Sequence, residues 1–338
     1  MESSLCEKPE RHAPRRLSDP LGLEGLKQKV HSLVDKVYSR TNLMLAWERV
    51  RANRGSGGTD GISIEDFETH LEINLDRLHR ELRDGTYQPQ PVRRIEIPKR
   101  GAPGKTRPLG IPSVYDRVCQ QAMFNRLEPI FEEVFDPSSF GYRKGRKTAD
   151  ALSKIWREVE AGNEWIVDAD LKDYFGSVDH EKLMALIGKQ VADGRVLKLI
   201  QQTLTAGYQE EGRQYATPRG TPQGGVISPL LSNILLTPFD KEMRRQGYQL
   251  TRWADDWGGD LSNSSRSRTC FGSGGKDSRT TWRHAQPGQD PDCARGPWVR
   301  VSGIQDQTWK KTVQAVPRSN QIQADATGSL RYSHAEVG

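Results

Sequence analysis

Apolar residues recur at helical spacing along the first part of the chain. Between residues 22 and 53 they are Leu26, Val30, Leu33, Val34 and Val37. After Ser63, which the pattern predicts as a helix cap, they are Ile64, Phe67, Leu71, Leu75, Leu78 and Leu82. Residues three and four positions apart lie on one side of an α-helix, so both stretches predict amphipathic helices. Residues 1–22 are polar and rich in proline and arginine, and we expect them to be disordered.

Strands and further helices follow in the rest of the pattern. Residues 87–98 alternate Val92, Ile95 and Ile97 with polar positions between prolines, which predicts an extended strand. The further predicted helices cover residues 114–135, 181–204 and 228–236. The predicted buried strands cover residues 166–171 and 250–257. Strands and helices in this order, with carboxylates at strand ends, predict an α+β fold with a catalytic domain.

Composition narrows the class of protein. Lys and Arg number 50 against 44 Asp and Glu, a modest basic excess that suits a phosphate-rich partner without proving one. The four cysteines show no CxxC spacing, so we expect no zinc site and no disulfide framework, which favours a reducing cytoplasm. No apolar run approaches the roughly 20 residues of a membrane span, and the N-terminus lacks a signal-peptide core. We expect no membrane partner.

The strongest chemical signal is a pair of adjacent carboxylates, Asp255 and Asp256, between two tryptophans. Two neighbouring carboxylates in an apolar segment repel each other, which favours a cation that neutralises both, although a hairpin turn can contain Asp-Asp by chance. Asp170 ends the predicted strand 166–171, and pairing of that strand with 250–257 would bring three carboxylates together. Such a cluster can hold two Mg²⁺ ions. Asp170 could instead cap its strand, and the rival acids nearby are Asp168, Asp173 and Asp179.

Candidate phosphate and nucleotide contacts lie in two loops. Gln223 stands in a Pro/Gly loop over residues 217–225, where glycines let a nucleic acid approach closely, although it could be an ordinary loop before a helix. Lys99 and Arg107 lie on a predicted hairpin and could hold an incoming triphosphate, Arg107 through its bidentate guanidinium.

A basic run interleaved with aromatic residues covers residues 140–147. Its cations are Arg143, Lys144, Arg146 and Lys147. Cations next to aromatic rings suit template phosphates and bases, although a single basic run is more often a solvated surface.

Together these motifs resemble the reverse transcriptases of group II introns, the intron-encoded maturases of bacteria. The matching segments, in family order over about residues 42–257, are 58–61, 97–112, 140–143, 170–180, 219–231 and 254–256. Trp253 stands where the family more often has tyrosine, and the bulky aromatic character is kept. Retron and diversity-generating reverse transcriptases remain open as other lineages, but the segments 106–112 and 219–231 favour the intron type.

The resemblance implies a right-hand polymerase fold with fingers and palm. It implies DNA synthesis on an intron RNA template from a DNA primer and deoxynucleoside triphosphates, with two Mg²⁺ ions, in the bacterial cytoplasm. By motif position, the metal ligands are Asp170, Asp255 and Asp256, and the nucleotide contacts are Lys99, Arg107, Phe175 and Gln223, with Phe175 as the aromatic gate against a ribose 2′-OH. The nucleic-acid contacts are Arg143, Lys144, Arg146, Lys147 and Arg219. The implied division of the chain is an N-terminal extension and fingers over 23–165 and a palm over 166–257.

The resemblance stops after Trp257. Val, Ile, Leu, Met and Phe make up only 10 of the 81 residues from 258 to 338, which is too little apolar surface for an independent core. A disordered tail or linker would explain this composition. A one-nucleotide frameshift is the sharper hypothesis, because the segment Trp257-Gly258-Gly259-Asp260 can decode with one G removed as Trp-Val-Val-Thr, an apolar continuation of the strand.

Most of this decoding depends on which synonymous codons are assumed. Tryptophan has a single codon, so its decoding in the shifted frame does not depend on that choice. In the shifted frame every TGG becomes a glycine codon, and Trp282, Trp298 and Trp309 all fall where the family has glycine. We therefore expect residues 258–338 to have no native fold, with the strand after Asp256 broken and the thumb missing.

Three functions remain after this reading. The first is a reverse transcriptase of a mobile intron that is truncated and has little or no polymerase activity in this chain. The second is a non-catalytic splicing cofactor that grips intron RNA with the basic segments between Arg54 and Lys147. The third is an inert remnant of a mobile element that never folds stably.

Overall fold

The computed structural model describes residues 32–98, 104–161, 166–169 and 174–260, together with short strands between residues 269 and 332. The helices are α1 (Val34–Tyr38), α2 (Arg40–Ala52), α3 (Ile64–Thr69), α4 (Leu71–Asp84), α5 (Val114–Glu132), α6 (Thr148–Glu160), α7 (Tyr174–Ser177), α8 (His180–Ile187), α9 (Gly194–Thr205) and α10 (Ser228–Arg245). The strands are β1 (Val92–Pro98), β2 (Thr106–Ile111), β3 (Ile166–Ala169), β4 (Tyr208–Glu210), β5 (Arg213–Tyr215), β6 (Gln249–Trp253), β7 (Asp256–Asp260), β8 (Thr269–Cys270), β9 (Arg283–His284), β10 (Gln314–Val316), β11 (Ile322–Ala324) and β12 (Leu330–Tyr332).

The N-terminal helices follow the apolar pattern closely. Ser63 caps α3 as predicted, because its hydroxyl accepts the N–H of Asp66 while the Asp66 carboxylate accepts the N–H of Ser63. Helix α4 ends at Gly85, whose φ of +73° suits glycine. The predicted residues 22–31 lie outside the described part of the chain.

Two sheets organise the rest of the fold. The first has the order β2-β1-β4-β5, and its β1–β2 pair is the predicted hairpin, with Ile97 opposite Arg107. The second has the order β10-β3-β7-β6, in which β3 and β7 run antiparallel and β6 and β7 form a hairpin. The mixed helices and sheets agree with the predicted α+β class, and the second sheet carries the paired carboxylates.

One contiguous hydrophobic core joins the N-terminal helices to the helices beside the second sheet. It runs from Leu33 in the first described turn to Leu236 in α10, and α5 passes through it with Val118, Ala122 and Leu127 all fully buried. Because the core is continuous, the helices that precede the first sheet and those around the second are supported by the same packing.

The predicted single helix over residues 181–204 is wrong. The structure has two helices, α8 and α9, and Asp193 starts the second because its carboxylate accepts the N–H groups of Arg195 and Val196. Asp193 also accepts the N–H groups of Leu33 and Val34, both at 2.8 Å, so its side chain is committed to the ends of two helices. Helix α10 continues to Arg245, nine residues beyond the prediction, and the pattern did not reveal α6 or the β4–β5 hairpin.

The strand after Asp256 also differs from the prediction. Residues 256–260 are paired with β3 on one side and β6 on the other. Backbone N–H and C=O groups form this ladder, so glycines at 258 and 259 do not prevent it, although they leave no side chains to pack. Beyond Asp260 the described residues form only short strands, β8 to β12, and no helix. The expectation for the rest of residues 258–338 lies outside the described residues and stays a prediction.

In the part of the chain that the structure describes, no helix combines the length and apolar character required to cross a membrane.

Candidate active site

The paired carboxylates lie at the turn of the β6–β7 hairpin. Trp253 pairs with Asp256 across the hairpin, so Ala254 and Asp255 are the two central turn residues. Ala254 has a φ of +60°, a left-handed conformation that costs a non-glycine residue roughly 1–2 kcal/mol. Asp255 is half-buried and Asp256 is exposed at this end of the sheet.

Strand β3 lies directly beside this hairpin. Ala169, the last described residue of β3, is opposite Trp257, which follows Asp256. Asp170 and Asp173 lie outside the described residues. Asp179 has a structural task, since its carboxylate caps α8 by accepting the N–H of Lys182, and this hydrogen bond lowers the pKa of Asp179. Among the described residues there is no group of three or more His, Cys, Asp or Glu side chains arranged to hold a metal ion.

Phe175 and the Pro/Gly loop are joined by backbone hydrogen bonds. The N–H of Thr221 donates to the carbonyl of Phe175 at 2.7 Å, and the N–H of Gly220 donates to the carbonyl of Val178 at 2.8 Å. The ring of His180 adds a 2.6 Å hydrogen bond to the carbonyl of Gly220. These bonds hold the backbone at Phe175, which is half-buried, against the loop that carries Gln223.

The same loop is fastened to the strand that carries Arg107. The N–H of Gly110 in β2 donates to the carbonyl of Gln223 at 2.6 Å. Gly224 has a φ of +110°, and a Cβ there would lie 2.5 Å from the carbonyl oxygen of Gly110, so only glycine fits this approach. Arg107 is exposed on β2, and Lys99 lies outside the described residues.

Tyr142 links the two halves of the site electrostatically. Its pKa is raised above the ordinary value first by burial and then by the negative charges of Asp255 and Asp256, while the positive charge of Arg107 lowers it. A cation from the first sheet and the carboxylates from the second therefore act on one side chain. The structure thus brings five of the predicted residues into neighbouring segments: Arg107, Phe175, Gln223, Asp255 and Asp256.

The cations of the basic run over residues 140–147 differ in their exposure to solvent. Lys144 and Lys147 are exposed, and the guanidinium of Arg146 lies 5.5 Å from the ring centre of Phe140. Arg143 corrects the prediction that it contacts nucleic acid: its side chain is only 3 % exposed and is paired with Glu132 at 2.6 Å. Its guanidinium also donates to the carbonyls of Asp136 and Ser139, both at 2.6 Å, so it supports its own loop.

Arg219, the last of the predicted nucleic-acid contacts, is exposed beside the Pro/Gly loop. Its positive charge helps to lower the pKa of Asp179. Arg252 was not among the predicted site residues, and Tyr142 was predicted only as one of the aromatic residues of the basic run. A charged residue inside a predicted buried strand, as Arg252 is, was the available signal.

Comparison with known proteins gives a family match over the region just described. The family model "Reverse transcriptase (RNA-dependent DNA polymerase)" matches residues 97–258. The match therefore ends one residue after Trp257, where the sequence resemblance stops.

Among curated relatives, Protein YkfC of Escherichia coli is 38% identical over 204 residues, which cover 59% of this chain and 53% of that protein. The group II intron-encoded protein LtrA of Lactococcus lactis is 38% identical over 227 residues, which cover 65% of this chain and 37% of that protein. A solved structure described as a partial Cas6-RT-Cas1--Cas2 complex is 23% identical, covers 69% of this chain and 39% of its own, and has a TM-score of 0.47. The chain thus spans about half of YkfC and little more than a third of LtrA.

Proposed function

We propose that the chain is the fingers and palm of an RNA-directed DNA polymerase. Residues 97–258 match the reverse transcriptase family model, and the relatives include a group II intron-encoded protein. The proposed reaction is the transfer of a deoxynucleotide to a primer end on an intron RNA template. The fingers and N-terminal extension correspond to residues 23–165 and the palm to residues 166–257.

The observation that carries this proposal is the connection of three segments around one turn. Asp255 and Asp256 lie at the turn end of the β6–β7 hairpin, and their charges act on Tyr142 together with that of Arg107 on β2. The Pro/Gly loop joins Phe175 and Gln223 to β2. A triphosphate carries charge at one end and a sugar and base at the other, so cations and a shaped pocket beside paired carboxylates suit a nucleotide.

The residues present fit Mg²⁺. Asp255 and Asp256 offer adjacent carboxylate oxygens, the hard ligands that Mg²⁺ prefers together with substrate phosphates. We assign Asp170 as a third ligand, supported by the end of β3 at Ala169 opposite Trp257. Two bound ions would activate the primer hydroxyl and stabilise the leaving pyrophosphate.

The chain's own residues would bind and orient the nucleotide. Arg107 and Lys99 would hold the triphosphate, and Gln223 would line the pocket beside the base and sugar. The ring of Phe175 would occupy the space that a ribose 2′-OH needs. Lys144, Arg146, Lys147 and Arg219 would contact the template and primer backbones.

Primer extension on an RNA template tests this function. The full chain would be compared with a chain whose frame is restored after Trp257, each also as the Asp255→Asn variant. We expect Mg²⁺-dependent extension by the restored chain that Asp255→Asn abolishes, and little or none by the chain as it stands. Inactivity of both would overturn the polymerase proposal, and equal, robust activity of both would overturn the proposed impairment.

A splicing cofactor that binds intron RNA without synthesis is a second candidate, favoured by the exposed cations of the basic run. It predicts RNA binding that weakens steeply with salt and does not change in Asp255→Asn. The third possibility, an inert remnant, is disfavoured by the continuous core from Leu33 to Leu236. Limited proteolysis would support the remnant if no resistant fragment persisted.

A further inference from the structure

The most deeply buried cation of the described chain lies three residues before Asp255. The guanidinium of Arg252 is 0% exposed, and each of its five N–H groups has an acceptor. Nε and Nη2 donate to the two oxygens of Asp240, both at 2.7 Å. Nη1 donates to Asn233 Oδ1 at 2.8 Å and to the carbonyl of Ala254 at 2.7 Å, and Nη2 also donates to Ser139 Oγ at 2.7 Å.

These five bonds join three separate segments of the chain. Asn233 and Asp240 lie on α10, Ser139 lies in the loop before the basic run, and Ala254 is the strained residue of the carboxylate turn. The backbone of Arg252 repeats the connection, because its N–H donates to the carbonyl of Ser138 and its carbonyl accepts the N–H of Phe140. The turn is therefore fixed to α10 and to the 138–140 loop through one residue.

Stability alone does not explain this arrangement. Replacing a buried ion pair by well-packed apolar residues is often neutral or stabilising. The Arg252–Asp240 pair is therefore not explained by a contribution to the stability of the fold. What an apolar side chain cannot do is direct a donor at the carbonyl of Ala254. That bond holds a left-handed alanine in place and, through it, the next two residues, which are the paired carboxylates.

We propose that Arg252 is a positioning residue that sets the geometry of the Asp255–Asp256 turn for divalent cations. The proposal rests on the metal-dependent function proposed above. Residues that orient metal ligands without touching the metal typically change metal affinity by about 10–100-fold when substituted. A lysine at 252 would keep the charge beside Asp240 but has three donors on a single nitrogen, so it cannot bond all four partners of the guanidinium.

Terbium luminescence measures this directly, without activity. Tb³⁺ binds carboxylate oxygens, and Trp253 and Trp257, on either side of the turn, can sensitise its emission. The purified full chain would be titrated as wild type, Arg252→Lys and the double variant Asp255→Asn/Asp256→Asn. The matched control is Arg117→Lys, which removes another buried guanidinium, one that donates to the carbonyls of Pro112 and Ser56.

We expect a saturable signal in the wild type that the double variant loses. Arg252→Lys should weaken Tb³⁺ affinity by about 10–100-fold, and Arg117→Lys should leave it unchanged even where it lowers the thermal midpoint. If Arg252→Lys does not fold, Ser139→Ala removes one acceptor of the same guanidinium and should still weaken Tb³⁺ binding measurably.

The outcomes separate the two proposals. A wild-type signal that does not depend on Asp255 and Asp256 would overturn the metal-dependent function. A signal that depends on both carboxylates, with unchanged affinity in folded Arg252→Lys or in Ser139→Ala, would overturn the positioning role alone.

Discussion

Gly141 lies against the backbone of Ala254 so closely that a Cβ at position 141 would be 2.3 Å from the Ala254 nitrogen. The carbonyl of Gly141 also accepts a 2.9 Å hydrogen bond from the Asn233 side chain, the same side chain that binds Arg252. Because residue 141 is glycine, its backbone can lie in contact with the turn that carries Asp255 and Asp256. A displacement of one segment would therefore displace the other.

Gly141→Ala should displace this turn. The added methyl group meets backbone rather than a flexible side chain, so we expect a loss of at least about 1–3 kcal/mol in the free energy of unfolding. Urea denaturation followed by tryptophan fluorescence would measure it. We also expect weaker Tb³⁺ binding, because Ala254 directly precedes Asp255.

The matched control for this substitution is Gly194→Ala. Gly194 opens α9, its φ is not left-handed, and no atom outside its own helix lies within 4 Å of the Cβ that would be added. It should be neutral or slightly stabilising. Equal stability of Gly141→Ala and wild type would contradict the tight contact between residues 141 and 254.

Asp193 should stabilise the chain in a pH-dependent way. Burial tends to raise its pKa, but hydrogen bonds from four backbone N–H groups, those of Leu33, Val34, Val196 and Arg195, lower it overall. A carboxyl with a lowered pKa in the folded state contributes stability above its unfolded pKa, about 3.9, and loses it as pH falls through the folded value. Asp193→Asn should therefore cost about 1–2 kcal/mol at pH 7, because the amide replaces charge-assisted hydrogen bonds by weaker neutral ones.

The difference between Asp193→Asn and wild type should begin to shrink as pH falls below the unfolded pKa of about 3.9, and it should be lost only once pH has fallen through the lower pKa of the folded state. Unfolding free energies measured from pH 7 down to about pH 2 would show the convergence. Asp35→Asn, at an exposed position in the first turn of α1, should change stability by no more than about 0.5 kcal/mol at either pH. A cost that stays constant with pH would assign the effect to packing instead of charge.

Helices were predictable wherever one face is buried over several turns. Leu75, Leu78 and Leu82 recur at helical spacing and are all at most 1% exposed, so periodicity alone located α4. The break between α8 and α9 was not predictable in this way. Asp193 starts α9 by accepting the N–H groups of Arg195 and Val196. The same carboxylate also accepts the N–H groups of Leu33 and Val34, which are about 160 residues away in sequence.

The candidate site shows the same division. The Asp255–Asp256 pair could be predicted because two adjacent carboxylates in an apolar segment are unusual. The different environments of Arg143 and Lys144 could not be predicted, because these neighbouring cations look alike in sequence. Arg143 is buried in an ion pair with Glu132, whereas Lys144 is exposed. Arg252 was missed for the same reason, since one of its acceptors, Ser139, is 113 residues away.

The exposed cations of the basic run should set part of the salt dependence of RNA binding. Each lysine that neutralises a phosphate contributes about one unit to the slope of log K against log salt, so Lys144→Ala/Lys147→Ala should reduce that slope by roughly 2. Filter binding to a single-stranded RNA between low and moderate salt would measure it. Lys189→Ala/Lys198→Ala removes two exposed charges elsewhere and should leave the slope unchanged.

Phe175 should exclude ribonucleotides if it borders the sugar pocket. Its ring packs edge-on against Tyr174, with centroids 5.6 Å apart, and its carbonyl holds the loop that carries Gln223. In the frame-restored chain, Phe175→Ala should reduce the preference for deoxynucleotides over ribonucleotides by about tenfold or more. Phe175→Tyr keeps the ring and should keep the preference, as single-nucleotide incorporation with each substrate would reveal. Unaltered discrimination in Phe175→Ala would remove Phe175 from the pocket.

The frameshift hypothesis makes a prediction about stability as well as about DNA. Strand β7 is an interior strand, with β3 and β6 on its two sides, yet it carries Gly258 and Gly259 opposite Thr251 and Leu250. Interior strands favour apolar, β-branched residues, and glycine there adds chain entropy and leaves nothing to pack. In the decoding Trp-Val-Val-Thr given above, the restored frame places valine at both positions.

Gly258→Val/Gly259→Val in the otherwise unchanged chain should therefore raise the free energy of unfolding, by about 1 kcal/mol for each valine that packs. The coding DNA should be resequenced across the codons for Asp255 to Asp260 in parallel. Three Gs after the T of the Trp257 codon would give an intact, longer reading frame, and four would establish a genuine lesion. Destabilisation by the two valines would argue that β7 is adapted to its glycines, and the frameshift hypothesis would then lose its structural support.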